Sequence, residues 1–148
     1  MTEIEELDKL KTKVLKYVIY KKRTEQEIRK KFSENAGNLL ENVIEFLKEN
    51  NYINDDTYIQ RAVNEFINLK NLSINEIKYK IMSKGIKKEQ IENYIYDNWD
   101  ELLEYELKSA KTIVEKKQKT LEKEQIIVYL RKKGYLNQTI EQLGEDDE

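Results

Sequence analysis

Little standard catalytic equipment is present in this chain, because its 148 residues include neither histidine nor cysteine. That removes the commonest general base and metal ligand, and with them disulfides, thiolate metal sites and a cysteine nucleophile. The paired acids Asp55-Asp56 and Asp146-Asp147 could suggest a magnesium site, but no phosphate cradle accompanies them, so helix capping and a polar tail are the expected roles. Tyr129-Leu130-Arg131-Lys132-Lys133 interleaves an aromatic with cations, as single-strand nucleic-acid surfaces do. One such pentad is a weak signal. With no nucleophile set beside a base, no catalytic residue, cofactor or metal is expected, and the chain reads as a non-enzyme.

What positions these residues is a repeat. Ile28, Ile77 and Ile126 recur 49 residues apart, and Phe32, Ile81 and Leu130 follow each of them at the fourth residue. An acid or amide precedes each set (Glu27, Glu76, Gln125), and a glycine follows (Gly37, Gly85, Gly134), with one extra residue in the first copy. A fixed period of this size marks stacked supersecondary units, each too small to bury its own apolar face. Thr24 with Glu27, and Ser73 with Glu76, have capping-box spacing and predict helix starts. The stripes Leu7, Leu10, Val14, Tyr17, Val18 and then Leu39, Leu40, Val43, Ile44, Leu47 predict the helices on either side. In the second copy the corresponding stripe is Ile59, Ala62, Val63, Phe66, Ile67, followed later by Ile91, Tyr94 and Ile95; in the third it is Leu102, Leu103, Leu107, Ala110, Val114.

The expected fold is therefore all-α: three tandem three-helix repeats, 1–51, 52–96 and 97–143, stacked into an elongated, curved bundle, with a frayed acidic tail over 144–148. Composition agrees, with no proline, four glycines and 38% charged residues. A formal net charge of −2 and a pI near 5.5 argue against a protein held mainly by the nucleic-acid backbone, so a protein partner is the better expectation. The N-terminal Met1–Glu6 stretch has acids where a secretory signal would have lysines, and no apolar run approaches a membrane span. A cytoplasmic, monomeric protein with no membrane attachment is expected.

Helical geometry also predicts what faces outward. Ile74, Ile77 and Ile81 share one side of their helix, which leaves Tyr79 nearly opposite, beside Lys80. The matching positions are Lys30 and Lys31 in the first copy and Val128 and Tyr129 in the third, so the outward row drifts from basic to apolar and aromatic. Such exposed groups are enriched where proteins dock. Charge is segregated too: residues 89–106 carry Glu89, Glu92, Asp97, Asp100, Glu101, Glu104 and Glu106 with no Lys or Arg, whereas 108–135 is basic and includes Arg131, Lys132 and Lys133. Segregation of this kind either orients a protein on a charged partner or is a solvated helix face.

Tyr52-Ile53-Asn54-Asp55-Asp56-Thr57-Tyr58, followed by Ile77 through Ser83 and then Lys84-Gly85-Ile86, resembles the signature of the RecX family, bacterial regulators of the recombinase RecA. Asn51 stands for that family's usual glycine and Asn54 for its usual first aspartate, and the arginines that often follow fall near Asn64 and Phe66 here. The matching residues Tyr52, Asp55, Tyr58, Lys84, Gly85 and Ile86 have an architectural reading: Asp55 caps a helix, Gly85 turns the chain, and Tyr52, Ile53 and Ile86 plug a junction. The resemblance implies a regulator that binds RecA or the RecA–single-stranded DNA filament and inhibits its recombination, ATPase and coprotease activities, with weak direct DNA binding as an addition. The alternative is a protein that acts on nucleic acid itself through a helix-turn-helix-like unit. Under either reading the contact candidates are Lys30, Lys31, Tyr79, Lys80, Val128, Tyr129, Arg131, Lys132 and Lys133.

Overall fold

The computed structural model describes residues 2–69 and 71–146, and these are all-helical, with no strand among them. In order they form α1 (Glu3–Tyr20), α2 (Glu25–Lys31), a 3-10 turn (Ser33–Asn35), α3 (Asn38–Glu49), α4 (Asp55–Leu69), α5 (Ile74–Met82), α6 (Lys88–Asp97), α7 (Trp99–Lys117), α8 (Lys123–Lys133) and α9 (Asn137–Asp146). Helix α9 takes in part of the acidic C-terminal stretch; Asp147 and Glu148 lie outside the described residues. The chain divides into two compact units, Met1–Ile59 with Lys84–Ile86, and Gln60–Ser83 with Lys87–Glu148.

The core of the first unit follows the predicted stripes. Leu10, Val14 and Val18 of α1, four residues apart, meet Leu40, Val43, Ile44 and Leu47 of α3, with Ile28 of α2 and Ile53 completing the cluster. Helix α2 starts at the predicted capping box: Thr24 Oγ1 accepts from Glu27 N–H at 3.1 Å, and Glu27 Oε1 accepts from Thr24 N–H at 3.1 Å. The Thr24 hydroxyl proton is then free for another acceptor, the Lys84 carbonyl at 2.6 Å. Asp55 does cap a helix, but not its own. Its Oδ1 accepts from Glu25 N–H, the first amide of α2, at 3.2 Å. Helix α4 is instead capped by Asn54, whose Oδ1 accepts from Thr57 N–H at 3.1 Å. Burial pushes the Asp55 carboxyl above its ordinary value, only partly offset by the Glu25 amide.

The second unit repeats this device with different residues. Ser73 and Glu76 form the capping box of α5, and Ser73 Oγ donates to the Lys133 carbonyl at 2.8 Å, as Thr24 does to Lys84. The first amide of α5, Ile74 N–H, donates to Glu106 Oε2 at 2.8 Å. Glu106 Oε1 accepts Leu136 N–H and the Thr139 hydroxyl, both at 2.8 Å, at the start of α9. Beside it Tyr105 Oη and Ser109 Oγ donate to the Leu72 carbonyl, at 2.8 and 3.2 Å, and the Tyr135 hydroxyl lies 2.6 Å from Ser109 Oγ. With the Ser109 proton on Leu72, Tyr135 must donate to Ser109. Burial raises both phenols, so both remain hydroxyl donors. Among the described residues no buried side-chain nitrogen or oxygen lacks a partner.

The buried face of α7 differs from the one expected. Leu102 and Ala110 are buried, but Leu103, Leu107 and Val114 are only half-buried, and the covered stripe is Leu102, Tyr105, Glu106, Ser109, Ala110 and Ile113. Its spacing is fully helical, yet half of its members are polar. Glu106 thus leaves the solvated acidic run in which the sequence placed it. The glycines also separate. Gly134 ends α8 at φ +92, with Tyr135 N–H on the Leu130 carbonyl and Gly134 N–H on that of Arg131, a Schellman closure. Gly85, at φ +97, turns the chain after α5. Gly37 has no such role: it lies beyond the 3-10 turn at the start of α3, while α2 ends at Phe32.

Two outcomes test this account. Glu106→Ala leaves three donors unpaired and should lower the unfolding free energy in urea by about 3–5 kcal/mol. Ser73→Ala should cost about 1 kcal/mol, largely recovered by Ser73→Thr; equal losses for Glu106→Ala and Ser73→Ala would contradict the buried-carboxylate account. A Cβ at Gly85 would lie 2.5 Å from Gln26 Cβ, whereas one at Gly37 meets nothing within 4 Å. Gly85→Ala should therefore lower the thermal midpoint clearly more than Gly37→Ala, since both carry positive φ and only one adds a clash.

Candidate partner-docking surface

The outward residues fall on α2, α5 and α8, and the structure sorts them into free surface and scaffold. Lys30 and Lys31 lie in the last turn of α2, both exposed, with Lys31 Nζ 5.9 Å from the Tyr17 ring. Arg23 covers the same ring at 4.0 Å, and Tyr17 packs edge-on against Phe32. Arg29, just before them in α2, is consumed internally: it binds Glu41 through both oxygens and Glu25 at 3.2 Å. Burial acts to raise the Glu25 carboxyl, but Lys48 and Arg29 outweigh it and hold the group below its usual range.

Tyr79 stands out of α5 at 64% exposure, next to exposed Lys80, as the helical geometry requires. Lys78 lies 6.0 Å from its ring and pairs with Glu92 at 3.1 Å. That lysine, with Lys88 at 3.7 Å, holds the Glu92 carboxyl below its ordinary value. Part of the acidic run on α6 is thus neutralised locally. The run is less of a field than its composition suggests.

On α8 the predicted pair splits. Val128 is 49% exposed, while Tyr129 is half-buried against the cluster of Ala110, Ile113, Ile126, Leu130, Tyr135 and Ile140. Lys117 and Lys133 lie over the Tyr129 ring at 4.6 and 5.6 Å. Lys133 also pairs with Glu76 at 3.5 Å, and its carbonyl receives Ser73. Lys133 and Tyr129 therefore belong to the scaffold, and Arg131 and Lys132, both exposed, remain as accessible cations.

The signature residues sit at helix ends and the turns between them. Ile53 and Ile86 are buried, and Lys84 presents its carbonyl to Thr24 while its side chain is exposed. Tyr52 is less of a plug than expected: it is 41% exposed and stacks on Phe46 at 6.2 Å. Asn51 adopts φ +58, the left-handed conformation a glycine would take, and closes α3 with Tyr52 N–H on the Leu47 carbonyl at 2.8 Å. The sequence reading missed one aromatic surface. Tyr96 (82% exposed) and Trp99 line an open groove of about 540 Å³ with Ile95, Ile74 and Leu136. Its signal was the density of Tyr94, Tyr96 and Trp99 where apolar periodicity fades.

No family model matches the chain. Among curated proteins it is 32% identical over 117 residues to the regulatory protein RecX of Clostridioides difficile (strain 630), covering 78% of this chain and 54% of that protein. To the regulatory protein RecX of Lactococcus lactis subsp. lactis (strain IL1403) it is 30% identical over 149 residues, covering 91% of this chain and 54% of the relative. The chain spans about half the length of these relatives. In fold it is similar to the crystal structure of RecX from Lactobacillus salivarius, with a TM-score of 0.81, 21% identity and 97% of both chains covered. A second RecX crystal structure matches with a TM-score of 0.78 at 22% identity, over 94% of this chain and 73% of that one. With the motif residues set at helix caps and turns and these relatives matched along most of its length, the chain belongs to the RecX family.

Proposed function

We propose that this chain is a non-enzymatic regulator of the recombinase RecA, binding RecA or the RecA–single-stranded DNA filament and inhibiting its ATPase, recombination and coprotease activities. The observation that carries the reading is family membership, because its relatives bear the name of regulatory proteins. The surface chemistry is compatible with it. Exposed Val128 stands with Arg131 and Lys132 on α8, and exposed Tyr79 with Lys80 on α5, the mixture of apolar and cationic groups that protein interfaces use. In the same reading the chain consists of three tandem three-helix units. The recurrence of the Thr24–Lys84 bond as Ser73–Lys133, 49 residues on, supports that organisation. Tandem units of this kind can present recurring surfaces to neighbouring subunits of a helical polymer.

Direct action on nucleic acid is the second reading, favoured by the lysines gathered at Tyr129 on α8. Both of those cations, Lys117 and Lys133, already sit over the ring, and Lys133 is also paired with Glu76, which leaves them less available for phosphate. Salt separates the readings. A duplex binder loses affinity steeply as salt rises, whereas a filament regulator needs RecA for tight binding.

Substoichiometric chain should lower DNA-dependent ATP hydrolysis by RecA, and no effect at equimolar protein would remove the leading reading. Reversing Arg131 and Lys132 together to glutamate should weaken association with RecA filaments by about tenfold in a pull-down, with unchanged helical content. Lys133 is left in place because reversing it would set a carboxylate against Glu76. Wild-type association by the double variant would leave Arg131 and Lys132 as plain solvated surface.

A further inference from the structure

The acidic run over 89–106 sorts into engaged and unengaged carboxylates. Glu106 is buried, Glu92 pairs with Lys78 and Lys88, and Glu104 pairs with Lys108 at 3.5 Å. Glu89, Asp97, Asp100 and Glu101 are exposed, and among the described residues none of them has an ion-pair partner. Three of these acids are interleaved with two exposed aromatics in Tyr96-Asp97-Asn98-Trp99-Asp100-Glu101, where α6 gives way to α7. The fourth, Glu89, lies seven residues before Tyr96 and so shares its face of α6.

Tyr96 and Trp99 border a groove lined by the aliphatic side chains of Ile74, Ile95 and Leu136. The polar groups of its lining are already engaged. Asn75 Nδ2 donates to the Gly134 carbonyl at 2.8 Å, and Lys78 is paired with Glu92 at 3.1 Å. What the groove offers to another molecule is therefore apolar surface, two rings and unneutralised carboxylates beside them. Tyr96 is 82% and Trp99 37% exposed, aromatic area left in water of the kind that anchors interfaces.

We propose that this groove docks an arginine-bearing, aliphatic segment of a partner protein. The cation follows from charge: no lysine or arginine lies between residues 89 and 106, and the lysine in the lining, Lys78, is offset by Glu92. Arginine suits the site better than lysine because its planar guanidinium stacks on ring faces and donates to a carboxylate through two parallel bonds. Aliphatic neighbours in the segment match Ile74, Ile95 and Leu136. A nucleic-acid strand is disfavoured, since its phosphates would meet Asp97 and Asp100. The assignment stands apart from the RecA reading, because it rests on the chemistry of this groove alone.

Trp99 is the only tryptophan in the chain, so its emission reports on the groove. The probe is an acetylated, amidated peptide Leu-Arg-Arg-Leu-Arg, titrated into the full-length chain to about 1 mM. Covering Trp99 should shift its emission to the blue, saturably. Glutamate in place of each arginine should abolish the response, and alanine in place of each leucine should weaken binding by about tenfold. Tyr96→Ala in the protein, and Asp97→Asn combined with Asp100→Asn, should each weaken binding by about tenfold with an unchanged circular dichroism spectrum. All three residues are exposed, so these variants leave the core intact. Absence of a saturable shift, equal responses to the arginine and glutamate peptides, or equal affinity of all variants would overturn the site. A saturable shift with an oligothymidine strand in place of the peptide would assign the groove to nucleic acid instead. A shift that grows with chain concentration without peptide, matched by self-association in sedimentation, would replace the partner with a second copy.

Discussion

One buried carboxylate sets the terms for the second compact unit. Glu106 is fully buried and accepts from Ile74 N–H, Leu136 N–H and the Thr139 hydroxyl, so a single side chain closes the starts of α5 and α9. Taking a carboxylate out of water costs several kcal/mol even after relaxation. Three hydrogen bonds to a charged acceptor, about 1.5–3 kcal/mol each, offset that cost only if all three donors are in place together. The first amide of α5, the Leu136 amide just before α9, the Thr139 hydroxyl and the carboxylate must therefore assemble as a set. Mutual dependence of this kind selects one arrangement of α5, α7 and α9 among the many that would bury similar apolar area.

The neighbouring polar groups extend the same constraint. Leu72 has no helical partner for its carbonyl, and Tyr105 and Ser109 satisfy it from the face of α7 that carries Glu106. Tyr135 closes the chain of bonds from the far side. In the first unit the equivalent work is done by Asp55, half-buried, at the first amide of α2. The two devices share chemistry but not residue type or position along their helices. Both answer the same problem, that amides at a helix start must be satisfied when later chain covers them.

Much of this was legible in the residues. The helices were, because apolar spacing and capping boxes are local signals and do not depend on what packs against them. Tyr79 was legible as exposed for the same reason. Asn51 and Asn54 depart from the family signature, yet each keeps the required conformation or cap, since asparagine tolerates positive φ and its side chain caps as aspartate does. Glu106 was not legible, because a stripe counted by apolar residues skips a glutamate between leucines. Lys133 was not, because nothing local says that Glu76 lies within 3.5 Å. Gly37 follows its repeat set as Gly85 and Gly134 do, yet it opens α3, because spacing alone cannot tell a glycine that closes one helix from one that opens the next.

By itself the sequence determined that the chain is helical, where its capping boxes lie, and that the buried positions of α2, α5 and α8 recur. Those are properties of neighbours three and four residues apart, and the backbone geometry of a helix brings such neighbours together in any context. Only the tertiary structure decided which charged residues are surface and which are scaffold. That choice depends on partners 30 to 60 residues away, as in the bonds of Glu25 to Asp55 and Ser73 to Lys133. A carboxylate in water and a carboxylate sealed between two helix starts have the same sequence signature, and only the donors around them distinguish the two.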